Sequence, residues 1–252
     1  MNRSALILLL VFLASTGYSF GQTWKMKRYE AMLGLGGTFY MGDIGSITPQ
    51  ENLAGLKDVA FRFVRPDIYL GFRYKFKERI AVKMNLNFGW FYGDDTYCTN
   101  DSRGVVFNTF FFEPSFQGEY YFIRDVSANN YLMMKGKGVM SFRSSISFYG
   151  FAGLGPTFFW PKVKEDPYNR TASEYSKVAM AFPIGLGIKY GLTPDWMLGL
   201  ELGGRWTTSD YLDAFTSQWS KAHDFYYIIA FQMIYKIDTS REGWPILKFG
   251  NR

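Results

Sequence analysis

Between positions 80 and 92 every even residue is apolar: Ile80, Val82, Met84, Leu86, Phe88, Trp90 and Tyr92. Ala81, Lys83, Asn85, Asn87, Gly89 and Phe91 stand between them. Successive side chains of a strand point to opposite faces, so this run has one apolar face and one largely polar face. Strands of soluble proteins average about 5–6 residues, and this run is more than twice that. Length and alternation together describe a strand that crosses a bilayer on a tilt, with lipid on one side and a polar lumen on the other.

Seven more segments repeat the pattern: residues 29–41, 66–76, 107–122, 146–160, 178–190, 196–206 and 224–237. In the first, Leu33 and Leu35 point outward and Glu30 and Thr38 inward. In segment 196–206, Leu198, Leu200 and Leu202 oppose Gly199, Glu201, Gly203 and Arg205. Eight is the smallest even number of strands that closes a membrane barrel. The predicted fold class is therefore all-β, an eight-stranded antiparallel transmembrane β-barrel. Aromatics make up 20% of the chain while mean hydropathy is only −0.11. A barrel reconciles the two by wearing its aromatics outside and keeping its lumen polar.

Residues 1–21 read as a signal peptide: Arg3 gives the positive start, residues 5–14 a short apolar stretch, and Ser19, Phe20 and Gly21 a cleavage site. The division expected is 1–21 signal peptide, 22–237 barrel and 238–252 a periplasmic tail, in a cell outer membrane. Tight turns are expected at 77–78 and 192–195. Longer surface loops are expected at 42–64, 93–104, 161–176 and 207–223. Residues 123–143 depart from this rhythm, because a short periplasmic turn belongs there. Basic residues gather at the turn end, and Lys77, Arg79, Lys135, Lys137 and Arg143 are candidates for docking a periplasmic partner. Aromatic girdles are expected at both interfaces, one with Tyr29, Phe76, Phe122, Tyr190, Trp196 and Tyr235, the other with Phe39, Trp90, Phe158, Trp160, Trp206 and Phe225.

The net charge of +6 raises nucleic acid as a partner, but export and the lack of a nucleic-acid motif argue against it. Cys98 is a single cysteine and reads as a loop residue. His223 is the one histidine, with Ser220 and Asp224 close in sequence. Proximity in sequence does not make a triad, so no catalytic residue, cofactor, metal or small-molecule substrate is expected. The pairs Asp94–Asp95 and Asp210/Asp213 read as solvated loop acids, since no twelve-residue calcium loop surrounds them. The inward charges Arg73, Lys83 and Arg205 are expected to meet Glu113, Glu201 and Glu119, because unpaired charges in a narrow lumen are costly. Inward Gly153, Gly185, Gly187 and Gly203 make room for bulky neighbours. A conducting pore is not expected.

The connecting residues carry a resemblance. Tyr40-Met41-Gly42-Asp43 closes the first strand, Arg65-Pro66 opens the second, and Gly93-Asp94-Asp95 follows the third. Pro183-Ile184-Gly185-Leu186-Gly187 lies in the sixth. Glu201-Leu202-Gly203-Gly204-Arg205 is followed by Thr208-Ser209-Asp210-Tyr211-Leu212-Asp213. In order and spacing these resemble the PorG-like outer-membrane barrels of Bacteroidota, components of the type IX secretion system. The resemblance implies a non-enzymatic barrel that associates with outer-membrane lipids and with the periplasmic ring formed by PorK and PorN. The residues alone leave open a stand-alone OmpX-like surface barrel acting in adhesion or envelope integrity.

Overall fold

The alternation is realised as eight long strands. The computed structural model describes residues 23–42, 44, 61–97, 102, 104–125, 146–167, 175–193, 195–215, 224–240 and 242–246. The strands are β1 (Tyr29–Met41), β2 (Arg65–Lys77), β3 (Ile80–Asp94), β4 (Val106–Ile123), β5 (Ile146–Glu165), β6 (Val178–Gly191), β7 (Trp196–Thr207) and β8 (Phe225–Thr239). Each pairs antiparallel with the next, and β8 pairs back onto β1 from Tyr29↔Ile237 to Met41↔Phe225. The sheet is therefore a closed barrel with no free edge.

Pairing partners can be followed around the wall. Tyr29 leads through Tyr74, Val82, Gly118, Ala152, Ile184, Gly204 and Tyr227 to Phe39. One circuit climbs from position 29 to position 39 on β1. With the usual strand rise and spacing, that stagger tilts the strands by roughly 40°, within the range of membrane barrels.

Outside, every strand contributes large exposed apolar side chains. They include Leu35 and Phe231 at 68% and 67% exposure, Phe72, Met84, Phe116, Leu154, Ile184 and Leu200. An apolar belt that encircles the molecule far exceeds the patch a water-soluble surface tolerates, and hydrocarbon is the solvent that suits it. Among the described residues no helix is long and apolar enough to cross a membrane.

The two ends differ. At the turn end, β2–β3 and β6–β7 close tightly, with Leu192 and Thr193 both donating to the Trp196 carbonyl. At the loop end, β5 runs to Glu165 because its ladder with β4 continues through Phe107↔Val163 and Val106↔Glu165. The surface loop expected from residue 161 therefore starts later. Residues 238–252 were expected as a tail; instead β8 extends to Thr239, and a two-residue strand, β9 (Pro245–Ile246), folds back on Asp238 and Thr239. The girdles are partly as expected: Trp196 packs on Tyr235 at 4.9 Å, and Trp160 and Trp206 are exposed. Phe39 and Phe225 are buried instead, Phe225 lying under Trp206 at 5.0 Å and Tyr227 at 4.8 Å. The expected signal peptide, Cys98, Ser220 and His223 lie outside the described residues.

A charge on the lipid face tests this assignment. Leu200→Arg, near the middle of β7, should cost about 2–4 kcal/mol in urea titrations of the barrel folded into lipid vesicles. An unchanged stability would contradict a lipid-facing Leu200.

Candidate functional site

The lumen holds two stacked clusters, and its chemistry begins with Arg73 of β2. This guanidinium reaches three carboxylates on three other strands: Glu30 at 2.6 Å, Glu119 at 2.6 Å and Glu201 at 3.4 Å. Lys83 joins Glu119 at 3.1 Å and Glu201 at 2.6 Å. Lys189 meets Glu30 at 3.1 Å, and Lys75 meets it at 2.7 Å. Tyr149 donates to Glu201 at 2.5 Å, and Tyr121 donates to Glu119 at 3.0 Å. The planar fork of arginine suits this bridging role better than a lysine point charge.

Arg73, Lys83, Lys189 and Tyr149 are all 0–1% exposed. In a water-filled channel inward side chains would be accessible, so this lumen is packed rather than open. Inward glycines make the packing possible. A Cβ on Gly187 would collide with the Tyr149 ring, and one on Gly203 would stand 2.7 Å from the Phe151 ring. Gly185 faces Gly203 across the β6–β7 ladder and gives the same ring its space. Gly153 lies against Gln117 of β4.

Asp125 seals the turn end. It stands just beyond β4, at the start of the segment whose length was unexpected, and it is directed back into the barrel mouth. Its carboxylate meets Lys75 at 2.5 Å, Lys236 at 3.0 Å and Lys189 at 4.0 Å. Burial alone would raise its pKa, but Lys236, Lys75 and Lys189 together hold it well below the usual carboxylate range. Next to it, Arg124 pairs with Glu78 of the β2–β3 turn at 2.9 Å. With Asp125 in place, Arg73, Lys75, Lys83, Lys189 and Lys236 face Glu30, Glu119, Glu201 and Asp125, which is close to neutral.

The loop half is different in kind. Arg205 lies 3.7 Å from Glu113, which also accepts from Asn87 at 3.2 Å and from Tyr226. Beyond them the mouth is filled by rings: Phe91 stacks on Phe111 at 4.2 Å, and both touch Tyr226. Ile44, Leu212 and Phe215, from the connections after β1 and β7, are buried in the same cluster. Asp224 fastens this plug, accepting from Tyr40 at 2.6 Å and from the Leu212 amide at 2.8 Å. Burial and the neighbouring Asp213 push its carboxyl well above the ordinary value. Asp213 accepts from the amides of Phe215 at 2.9 Å and Ile44 at 3.3 Å. Thr109 donates to the Leu212 carbonyl at 2.6 Å. Ala214 completes the turn in the left-handed region, at φ 61°.

Many of the family-like residues converge on these clusters. Glu201 serves the turn half and Arg205 the loop half, with Gly203 between them and Pro183 beside Arg205 across the ladder. Gly42 sits against Tyr40 and Asp224, and Gly93 against Phe107. Leu212 and Asp213 build the plug, and Tyr211 stacks on Tyr175 at 5.6 Å. Asp43 lies outside the described residues, and Pro66 is exposed. The acid pairs need correction: Asp95 and Asp213 are fully buried, not solvated, because backbone amides of the folded-in loop occupy the Asp213 carboxylate. Asp94 and Asp210 stay half-buried. Lys77 and Arg79 are exposed at the turn end, while Lys135, Lys137 and Arg143 lie outside the described residues. The expected pairings of Arg73 and Lys83 are present. Alternation also turns Lys75, Lys189 and Lys236 inward, beside Glu30, whereas Asp125 lies off the strand pattern and carries no such signal. Among the described residues there is no group of three metal-ligating side chains.

Two outcomes follow. Arg73→Met strands three buried carboxylates and should cost about 3–5 kcal/mol in urea unfolding. Adding Glu30→Gln and Glu119→Gln should recover part of that loss. The depressed pKa of Asp125 means its stabilisation is fully present above the unfolded value of about 3.9 and is lost only as pH falls below it. Urea midpoints should therefore differ between the parent and Asp125→Asn from pH 8 down to about 4 and converge below that. A difference that disappears already near pH 6 would contradict the salt-bridged seal.

Solved barrels of similar shape include Neisserial surface protein A, at 9% identity and TM-score 0.48, covering 82% of this chain and 96% of that one. OprG of Pseudomonas aeruginosa aligns at 13% identity and TM-score 0.40, covering 83% and 94%. The attachment invasion locus protein of Yersinia pestis aligns at 10% identity and TM-score 0.38, covering 83% and 97%. At these values the fold stands on the closed pairing of the strands themselves. No curated protein matches the sequence. A family model, "Domain of unknown function (DUF6089)", matches residues 5–232, and the chain belongs to that family.

Proposed function

We propose that this chain is a non-enzymatic, PorG-like accessory subunit of the type IX secretion system, held in the outer membrane and docked on the periplasmic PorK/PorN ring. The observation behind it is the filled lumen. A barrel packed with buried ion pairs at one end and rings at the other does its work through its rims. The order of the family-like connecting residues, from Gly42 to Asp213, is the reason for choosing this system. In this reading the turn end faces the periplasm and offers exposed Lys25, Lys77 and Arg79 to an acidic partner.

Capture of the tagged barrel from native membranes tests it. Ring proteins should co-purify, and Lys77→Glu with Arg79→Glu should reduce their recovery several-fold while the barrel stays folded. Full recovery with the double variant would sink the docking role of this rim. The second reading, a stand-alone surface barrel, is favoured by the tightly built plug under the loops. It predicts that shortening the connection after residue 215 produces the envelope phenotype and that no ring protein is captured.

A further inference from the structure

The lipid-facing wall is not uniform. On β3, β4 and β5 the outward residues form two rows of rings, Phe88–Phe112–Phe158 and Trp90–Phe110–Trp160. Neighbouring centroids are 4.8 and 6.0 Å apart in the first row and 5.5 and 5.8 Å in the second. The next row toward the loop end is Tyr92–Asn108–Lys162. The Arg65 guanidinium lies 4.0 Å from the Tyr92 ring, and the Lys164 ammonium approaches the same ring at 5.8 Å. Lys162 and Lys164 are exposed. Asn108 Oδ1 is buried in this row and has no hydrogen-bond partner. The carboxylates of Asp94 and Glu165 stand one row farther from the rings.

Flat aromatic faces take acyl chains and the C–H faces of sugars. An unused amide oxygen accepts from a hydroxyl, and paired lysines hold phosphate. We infer that this patch is a binding site for a phosphorylated glycolipid of the outer leaflet, of the lipid A class. Its chains lie on the two aromatic rows, a sugar hydroxyl faces Asn108, and a phosphate sits between Lys162, Lys164 and Arg65. The charge is placed where a headgroup phosphate meets the hydrocarbon boundary, and only lipid is adjacent to the rings below it. The inference takes from the proposed function only the orientation, loop end outward.

The test uses the full chain, purified in detergent and reconstituted in phosphatidylcholine nanodiscs with diphosphorylated lipid A. Retained lipid is read by native mass spectrometry, and folding by heat-modifiable mobility on gels. Lys162→Glu with Lys164→Glu should lower lipid A retention by about tenfold, as loss of two exposed charge contacts to phosphate requires. Glu242→Lys at the opposite end should leave retention unchanged. If the double variant does not fold, Lys162→Gln alone should give a smaller loss in the same direction. Equal retention by parent and variants would overturn the site. So would equal retention of dephosphorylated lipid A, which removes the phosphate contact, or of phosphatidylglycerol, which removes the sugar. Ring capture by the same variant is read separately, so loss of one activity leaves the other standing.

Discussion

A guanidinium sealed inside a membrane-spanning barrel is the constraint on which the rest depends. Arg73 sits where neither water nor lipid can solvate it, so three carboxylates must surround it. They come from β1, β4 and β7, which spaces them around the wall and ties distant strands together through the axis. Removing bulk elsewhere in the same layer completes the arrangement: Gly187 and Gly203 stand where Tyr149 and Phe151 need room. Such a centre fixes register, because sliding one strand by a single residue would turn its charge toward lipid.

From that centre the molecule divides by chemistry. Toward the turns the lumen is ionic and ends in Asp125, a carboxylate borrowed from outside the strand pattern that joins three glutamates against five cations. Toward the loops it turns aromatic and ends in a plug held by Asp213 and Asp224. The two ends are therefore closed by unlike means, charge at one and packed rings with captured backbone amides at the other.

Most of the fold was legible from alternation alone, because lipid outside and a polar lumen inside impose a strict period of two. Strand starts and ends agreed to within a few residues except at β5, where pairing with β4 carried the strand outward past Trp160. The lumen pairs of Arg73 and Lys83 followed from parity and from the cost of burying a charge. Asp125 could not be read this way, since periodicity says nothing about a residue beyond the strand that turns back inside. The burial of Asp213 was hidden for a related reason. Acids in a loop look solvated until the loop itself is seen to fold into the mouth. The Tyr92–Asn108–Lys162 row needed the register between three strands, which no single segment contains.

The central claim is that the lumen is filled and closed, and that the protein works through its rims. Single-channel recording of the purified full-length barrel in planar bilayers tests this most directly. The account predicts no stepwise conductance at neutral pH in molar salt, from a sample shown to be folded and inserted. Reproducible open-channel steps under those conditions would contradict it.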